Sequence, residues 1–373
     1  MIKIKYPSQD NDNMKIFHDE FSKAIKDNLR NEASIDAHLK EIPYKGEILT
    51  LNNLLTFSLV ELIATEPLLK SYATALSETK RIEFIKLFDY ENLQPAIADF
   101  FMRMNNLGLI DMCSCYYCNI DYINVFNDIG QYKDKLHFLN VAQYEELNLI
   151  PGISKATINK IIAERPLTNS DPGFLTKKKR ELIRKYSLSM ANRYKNHFTL
   201  DHFLPKGNYP YFALSLYNLV PSCYACNSKF KGIKEFELNA STILLSPTSP
   251  DFVLEDNPLF SLYFSDGKDE NTTKELTDIT ITFDALGIGE KRFLEIFAIQ
   301  GRYAFHKKEA LNMVLKRQKY SDSTIAEIAR AIRSTDEMSI KRDIFGSSIF
   351  NASENNQPLT KFKKDIAKKI GII

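Results

Sequence analysis

Two Cys-x-x-Cys pairs do most to limit what this chain can become. Cys115 and Cys118 bracket two tyrosines, and Cys223 and Cys226 bracket Tyr224 and Ala225. Together they supply four thiolates, the ligand set of a closed, tetrahedral structural zinc site. The two-residue spacer lets both sulfurs of a pair face one ion from a tight turn. The chain has five cysteines, all inside these two clusters. Scattered cysteines in even number would suggest a secreted disulfide scaffold, whereas tight Cys-x-x-Cys pairs suggest a metal. Cys113 is left over and reads as a spare thiol near the knot.

The second pair closes a dense stretch, HFTLDHFLPKGNYPYFALSLYNLVPSCYACNSKFKG, over 197–232. Asp201 beside His202 offers one hard oxygen ligand for Mg²⁺ or a similar ion and one base near neutral pH. Asn218 follows, and then Asn227, directly after the last cysteine, so that a metal knot would fix where its amide points. Each of these residues has a bland reading when taken singly. His202 would be a core histidine, Asn218 a turn former and Asn227 a helix cap. The tyrosines and phenylalanine at 209, 211, 212, 217 and 224 would be the core of a small fold rather than stacking platforms for bases.

Taken in order, Cys115–Cys118 and Phe198–Gly232 resemble the HNH endonucleases, or ββα-metal nucleases. The resemblance implies that His202 is the first motif residue, Asn218 the second and Asn227 the third, an H-N-N variant. It implies an α+β fold: a predominantly helical chain around a small zinc-bound ββα-metal core. It further implies hydrolysis of DNA phosphodiester bonds with His202 as general base. Asp201 and Asn227 would hold Mg²⁺ or another divalent cation, which would stabilise charge on the phosphorus oxygens and the leaving 3′ oxygen. Asn218 would orient the loop or the ring of His202. Zn²⁺ on Cys115, Cys118, Cys223 and Cys226 would keep hairpin and helix together, and Lys206, Lys229 and Lys231 would contact phosphates. Neighbouring residues on a regular strand face opposite ways. The strand must therefore end or bend at Asp201-His202, and Pro205 and Gly207 make that feasible. The wording LDHFLPK and NLVPSCYACNSKFKG is also similar to HNH proteins encoded beside ATPases in bacterial anti-phage defence, Septu-like systems among them. That likeness implies a partner ATPase docked on a terminal region. The alternative is a non-catalytic, zinc-containing nucleic-acid-binding protein, against which the intact Asp201, His202, Asn218 and Asn227 argue.

At 373 residues the chain has room for two or three domains. We divide it into a helical region 1–112, a nuclease core 113–234 interrupted by an insertion at about 139–190, and an α+β region 235–373. In the first, Leu54, Leu55, Leu59, Leu62 and Ile63 recur at helical spacing. Pro67 and Pro95 are expected to break its helices, and His18 and His38 to lie at the surface. After the first knuckle, DYINVF reads as a short strand. Asp201 then comes 83 residues after Cys118, so something is inserted. Within it, LNLIPGISKATINKIIAERP resembles the helix-hairpin-helix, a non-specific DNA-binding motif. The resemblance implies phosphate contacts at Gly152, Ser154 and Lys155, although Ser154 stands where the PGIG form has its second glycine. The plain alternative is a helical hairpin packed on the core. A basic run, Lys177, Lys178, Lys179 and Arg180, comes next. Over 171–234 twelve Lys or Arg face three acidic residues, an excess of nine positive charges in a chain of net charge +2. Beside a phosphodiesterase motif such an excess suits sequence-independent phosphate contacts better than a merely solvated face.

Further on, Leu259–Phe264 and Asp278–Phe283 alternate as two strands. Helices are expected from about Glu290 to Lys319 and from Asp322 to Arg333. The basic amphipathic end would either touch DNA or pack on the core. The first residues lack the apolar stretch of a secretory signal. The most apolar window, Leu51–Leu69, carries Glu61, Glu66 and Pro67, which suits a buried helix and not a membrane span. The expectation is a cytoplasmic protein off the membrane.

Overall fold

The structure is a computed structural model. It describes residues 1–8, 12–127, 132–191, 194–236, 238–257, 259–284, 287–332, 335–351 and 356–373. These form two compact units, one made of Met1–Asn124 with Phe198–Ile373 and the other of Val125–His197. The fold is mixed, mostly helical with small two-stranded antiparallel sheets.

The first unit begins with helices Asp12–Lys26, Glu32–Leu39, Leu51–Thr56, Leu59–Ala75, Glu78–Lys86 and Tyr90–Asn106. Local chemistry sets their starts. Ser58 and Glu61 form a reciprocal capping box at the head of Leu59–Ala75, and Asp89 caps Tyr90–Asn106. Their apolar faces meet in an aromatic layer in which Phe100 stands edge-on to Phe17 and to Phe21, each with centroids 5.0 Å apart. Two expectations fail here. Pro67 and Pro95 lie inside helices and do not end them. Each leaves a carbonyl one turn back without its partner, at a cost of about 3 kcal/mol in an isolated helix. Burial of Leu59, Leu62, Leu69 and Ala73 around Pro67, and of Leu93, Ile97, Phe100 and Phe101 around Pro95, outweighs it. His18 and His38 are half-buried rather than superficial, each hydrogen-bonded at 2.8 Å to a tyrosine hydroxyl, Tyr217 and Tyr72 respectively.

The knuckle Cys115–Cys118 follows these helices. After the excursion through the second unit, strand Thr199–His202 pairs antiparallel with Leu219–Ser222, Asp201 opposite Val220 and His202 opposite Leu219. The helical segment Ala225–Lys231 comes directly after. It is wound wide, and its last bond runs from Gly232 N–H to the Asn227 carbonyl five residues back. Strands Phe260–Phe264 and Ile279–Phe283 pair as expected. The stretch after Glu290 is cut into helices Ile288–Ile296, Ile299–Ala304 and Lys307–Lys319, the first break falling at Ala298, held at a φ of 50°, and the second at Phe305-His306. Helix Asp322–Ala331 stops short of Arg333, which lies outside the described residues. The basic C-terminal stretch packs on the core. Helix Thr360–Lys369 buries Phe362 and Ile366, and its Asp365 carboxylate accepts the backbone N–H of Leu259 at 2.8 Å and of Phe260 at 3.1 Å. The C-terminal region and the helical N-terminal region belong to one unit with the cysteine knuckles.

In the second unit, Val125–Asn127 pairs antiparallel with Tyr194–Asn196 and brings its two ends together. Between them lie helices Lys135–Val141, Tyr144–Asn148, Lys155–Ala163 and Lys177–Ala191. They enclose a core of Phe138, Leu139, Leu147, Ile150, Ile158, Ile161 and Ile183. The hairpin around Pro151-Gly152 forms as read, with Gly152 at a φ of 84°, a conformation that a side chain would strain. The unit is wider than the expected insertion at 139–190, because the strand pair and Phe138 belong to it.

Among the described residues no helix is long and apolar enough to cross a membrane.

Candidate metal centre and active site

The sulfurs of Cys115, Cys118, Cys223 and Cys226 all lie within 4.8 Å of one another, and all four residues are buried. Thiolates around one tetrahedral ion at about 2.3 Å stand about 3.8 Å apart, so this cluster is the right size to hold a metal ion. Its shape is built locally. Asn119 takes a φ of 52°, a turn that asparagine tolerates, and its N–H returns to the Cys115 carbonyl at 2.7 Å. Backbone N–H groups of Ile120 and Cys226 point at the sulfurs of Cys118 and Cys223, each at 3.4 Å. Cys113 stands outside the cluster.

The cluster's charge is met from far along the chain. Arg302 donates from Nη1 to Cys226 Sγ at 3.1 Å and from Nη2 to Cys118 Sγ at 3.3 Å and Asp121 Oδ2 at 2.8 Å. Its guanidinium lies over the Phe230 ring, 4.9 Å from the centroid. Burial works against the Arg302 charge, but Cys118 and Cys226 overcome it and hold the group more firmly protonated than usual. Burial also works to raise the Cys118 thiol. Hydrogen bonds with Cys115, Cys223 and Cys226, together with Arg302, outweigh it and pull that thiol well down. Burial pushes Cys115 and Cys226 up. Bonds of this type to charged groups are worth about 1.5–3 kcal/mol. Arg302→Met is therefore expected to lose roughly 2 kcal/mol in urea unfolding and to release any metal held by the cluster faster to a colorimetric chelator. Unchanged stability and release would remove Arg302 from the support of the knot.

Asp201 and His202 are the last two residues of their strand, which ends where the expectation requires. The chain turns away at once, where Phe203 N–H bonds the Asn218 carbonyl at 2.9 Å. The His202 ring is buried edge-on against Tyr90, with centroids 4.4 Å apart, and its Nε2 lies 2.9 Å from the Ala213 carbonyl. A carbonyl only accepts, so Nε2 carries the hydrogen and Nδ1 keeps the lone pair. Burial pushes the imidazole down to about 4, which makes the neutral form the one present near pH 7. Asn218 holds the loop that supplies Ala213. Its Oδ1 accepts from Leu204 N–H at 2.7 Å, and its Nδ2 donates to the carbonyls of Leu204 at 3.1 Å and Phe212 at 3.0 Å.

Both oxygens of Asp201 are engaged. Tyr117 donates its hydroxyl to Oδ2 at 2.7 Å, and Lys231 Nζ lies 3.2 Å from Oδ1 and 3.1 Å from Oδ2. Burial raises the Asp201 carboxyl, opposed by Lys231 and by Tyr117. Asn227, half-buried on the helical segment, donates from Nδ2 to the Leu200 carbonyl at 3.4 Å. The expected ligands of a divalent cation thus stand on adjoining elements, with Asn227 Oδ1 accepting no hydrogen bond among the described residues and the carboxylate already occupied.

The residues expected at phosphates divide. Lys229 is exposed on the helical segment. Lys206 pairs with Glu91 and lies over the Tyr90 ring, the ring that packs against His202. Lys231 faces inward and is 2% exposed, so as it stands it offers solvent nothing. In the second unit Gly152, Ser154, Lys155, Lys177 and Lys178 are exposed. Ser154 caps helix Lys155–Ala163. Lys179 is spent on Thr157 Oγ1 at 2.7 Å and Arg180 on the Leu175 carbonyl at 3.0 Å. Of the other aromatics near the site, Tyr211 and Phe212 are core and Tyr224 is exposed. The roles of Tyr117, Tyr90 and Arg302 are not apparent from the motifs. Tyr117 lies inside the first knuckle and was open to reading as a partner for the second, whereas no local signal marks Arg302.

No family model, curated protein or solved structure matches the chain.

Proposed function

We propose that the protein is a metal-dependent HNH endonuclease that hydrolyses DNA phosphodiester bonds with little sequence specificity. In this reading Zn²⁺ fills the four-cysteine cluster, and the hairpin 199–222 with the segment Ala225–Lys231 is its ββα-metal core. One observation carries the reading. The strand that pairs with the one leading into Cys223 ends on a neutral histidine whose Nε2 is tied to the Ala213 carbonyl, which leaves the lone pair on Nδ1. His202 Nδ1 takes the proton from a water as that water attacks phosphorus, and the 3′ oxygen leaves. A divalent cation, when bound by Asp201 and Asn227, would neutralise charge on the phosphorus oxygens and the leaving oxygen. Asn218 keeps the Ala213 carbonyl in register with the ring, and Lys206 and Lys229 are the phosphate contacts.

The test is nicking of supercoiled plasmid by zinc-loaded protein. Open circles are expected to accumulate with Mg²⁺ or Mn²⁺, and to fail to form in Asp201→Asn. Salt-sensitive DNA binding without cleavage in Mg²⁺, Mn²⁺ or Ni²⁺ would instead assign the chain to non-catalytic zinc-containing nucleic-acid binders. A defence role with a partner ATPase extends the same reading on the wording of the motifs alone. Co-purification with an ATPase encoded beside it is the expected result of a pull-down.

A further inference from the structure

Lys231 is among the largest fully buried side chains of the protein, yet it carries a charge. Its ammonium has three hydrogens to donate, and three acceptors surround it: both oxygens of Asp201, and the His202 carbonyl at 2.6 Å. With Tyr117 on Oδ2, the carboxylate is 4% exposed. Lys231 lies one turn beyond Asn227 on the same helical segment, and Asn227 reaches the same strand at Leu200. A cation held by Asp201 would thus meet the ammonium at both carboxylate oxygens. A divalent ion also keeps several waters, so the ammonium must leave the carboxylate for the ion to reach it.

We infer that Lys231 is a tethered cation that closes Asp201, and that metal loading is an exchange in which the ammonium leaves the carboxylate as the divalent ion arrives. The inference rests on the metal-dependent reading above and adds to it a built-in competitor. A buried ion pair is weak evidence of stabilisation in itself, whereas removing one partner leaves the other charge uncompensated. An Asp201 deprived of Lys231 should therefore bind a divalent ion more tightly.

Mn²⁺ alone, titrated into zinc-loaded full-length protein and followed by the electron paramagnetic resonance of the free ion, gives the test. Lys231→Met and Lys231→Gln are expected to bind Mn²⁺ at least tenfold more tightly than the parent. Lys231→Arg, which keeps the charge, is expected to bind no more tightly than the parent, and Asp201→Asn to lose the site. Equal or weaker binding by Met and Gln variants of parental zinc content and circular dichroism overturns the inference. If Asp201→Asn still loses the site in that case, the metal-dependent reading stands without it. Absence of Mn²⁺ binding in the parent and every variant overturns both. A measurement on the unmutated chain guards against misfolded variants. Amine-specific labelling of Lys231, read by peptide mass spectrometry, is expected to rise several-fold on adding Mn²⁺, and no rise overturns the exchange.

Discussion

His202→Ala is expected to keep its zinc and its far-ultraviolet circular dichroism while its rate of plasmid nicking falls by about two to four orders of magnitude, the range for loss of a positioned general base. The ring is buried, so the variant also loses its contact with Tyr90 and its bond to Ala213. Its unfolding midpoint should drop, by a margin worth about 1–3 kcal/mol. The two effects separate by temperature. Nicking measured well below the midpoint reports only the missing base. Cleavage at the parental rate would remove His202 from the reaction, whatever the fate of the fold.

The largest effect on stability is expected from Cys226→Ser. Structural zinc contributes about 10–16 kcal/mol in small zinc-binding peptides, which matches or exceeds the whole stability of a typical domain. Cys226 also lies in the first turn of the segment that carries Asn227, Phe230 and Lys231, so the loss reaches the Asp201 side of the hairpin directly. The variant is expected to purify without stoichiometric zinc and with its near-ultraviolet circular dichroism collapsed, or to be insoluble. Cys113→Ser is the matched control. That thiol is half-buried and stands outside the cluster, so parental zinc content and a stability within about 0.5 kcal/mol are expected. Parental zinc and near-ultraviolet signal in Cys226→Ser would dissolve the four-sulfur centre.

What the sequence made legible was local. The convergence of Cys115, Cys118, Cys223 and Cys226 follows from spacings that only a turn around one ion explains well, whereas the hairpin at 199–202 and 219–222 was implied only by the resemblance. The paired strands at 260–264 and 279–283 and the hairpin at Pro151-Gly152 were readable from alternation and turn chemistry. Illegible were the features decided by tertiary packing. Pro67 and Pro95 look like breakers until the burial of their helices is known. Lys231 looks like a surface contact in a basic stretch, because nothing in its neighbours tells that its helical turn faces Asp201. Arg302 is invisible as a partner of the sulfurs, being separated from both knuckles along the chain and lying in an ordinary helix. The extent of the second unit was missed because Val125–Asn127 and Tyr194–Asn196 are too short to announce a pairing across their separation.

Everything assigned to the hairpin hangs on the ion proposed between the two knuckles, and X-ray absorption at the zinc edge of the purified protein measures it most directly. The expected spectrum is one zinc per chain with four sulfur neighbours at about 2.3 Å and no lighter atom in the first shell. A shell containing nitrogen or oxygen in place of sulfur, or protein that folds and carries no metal at all, would contradict the account.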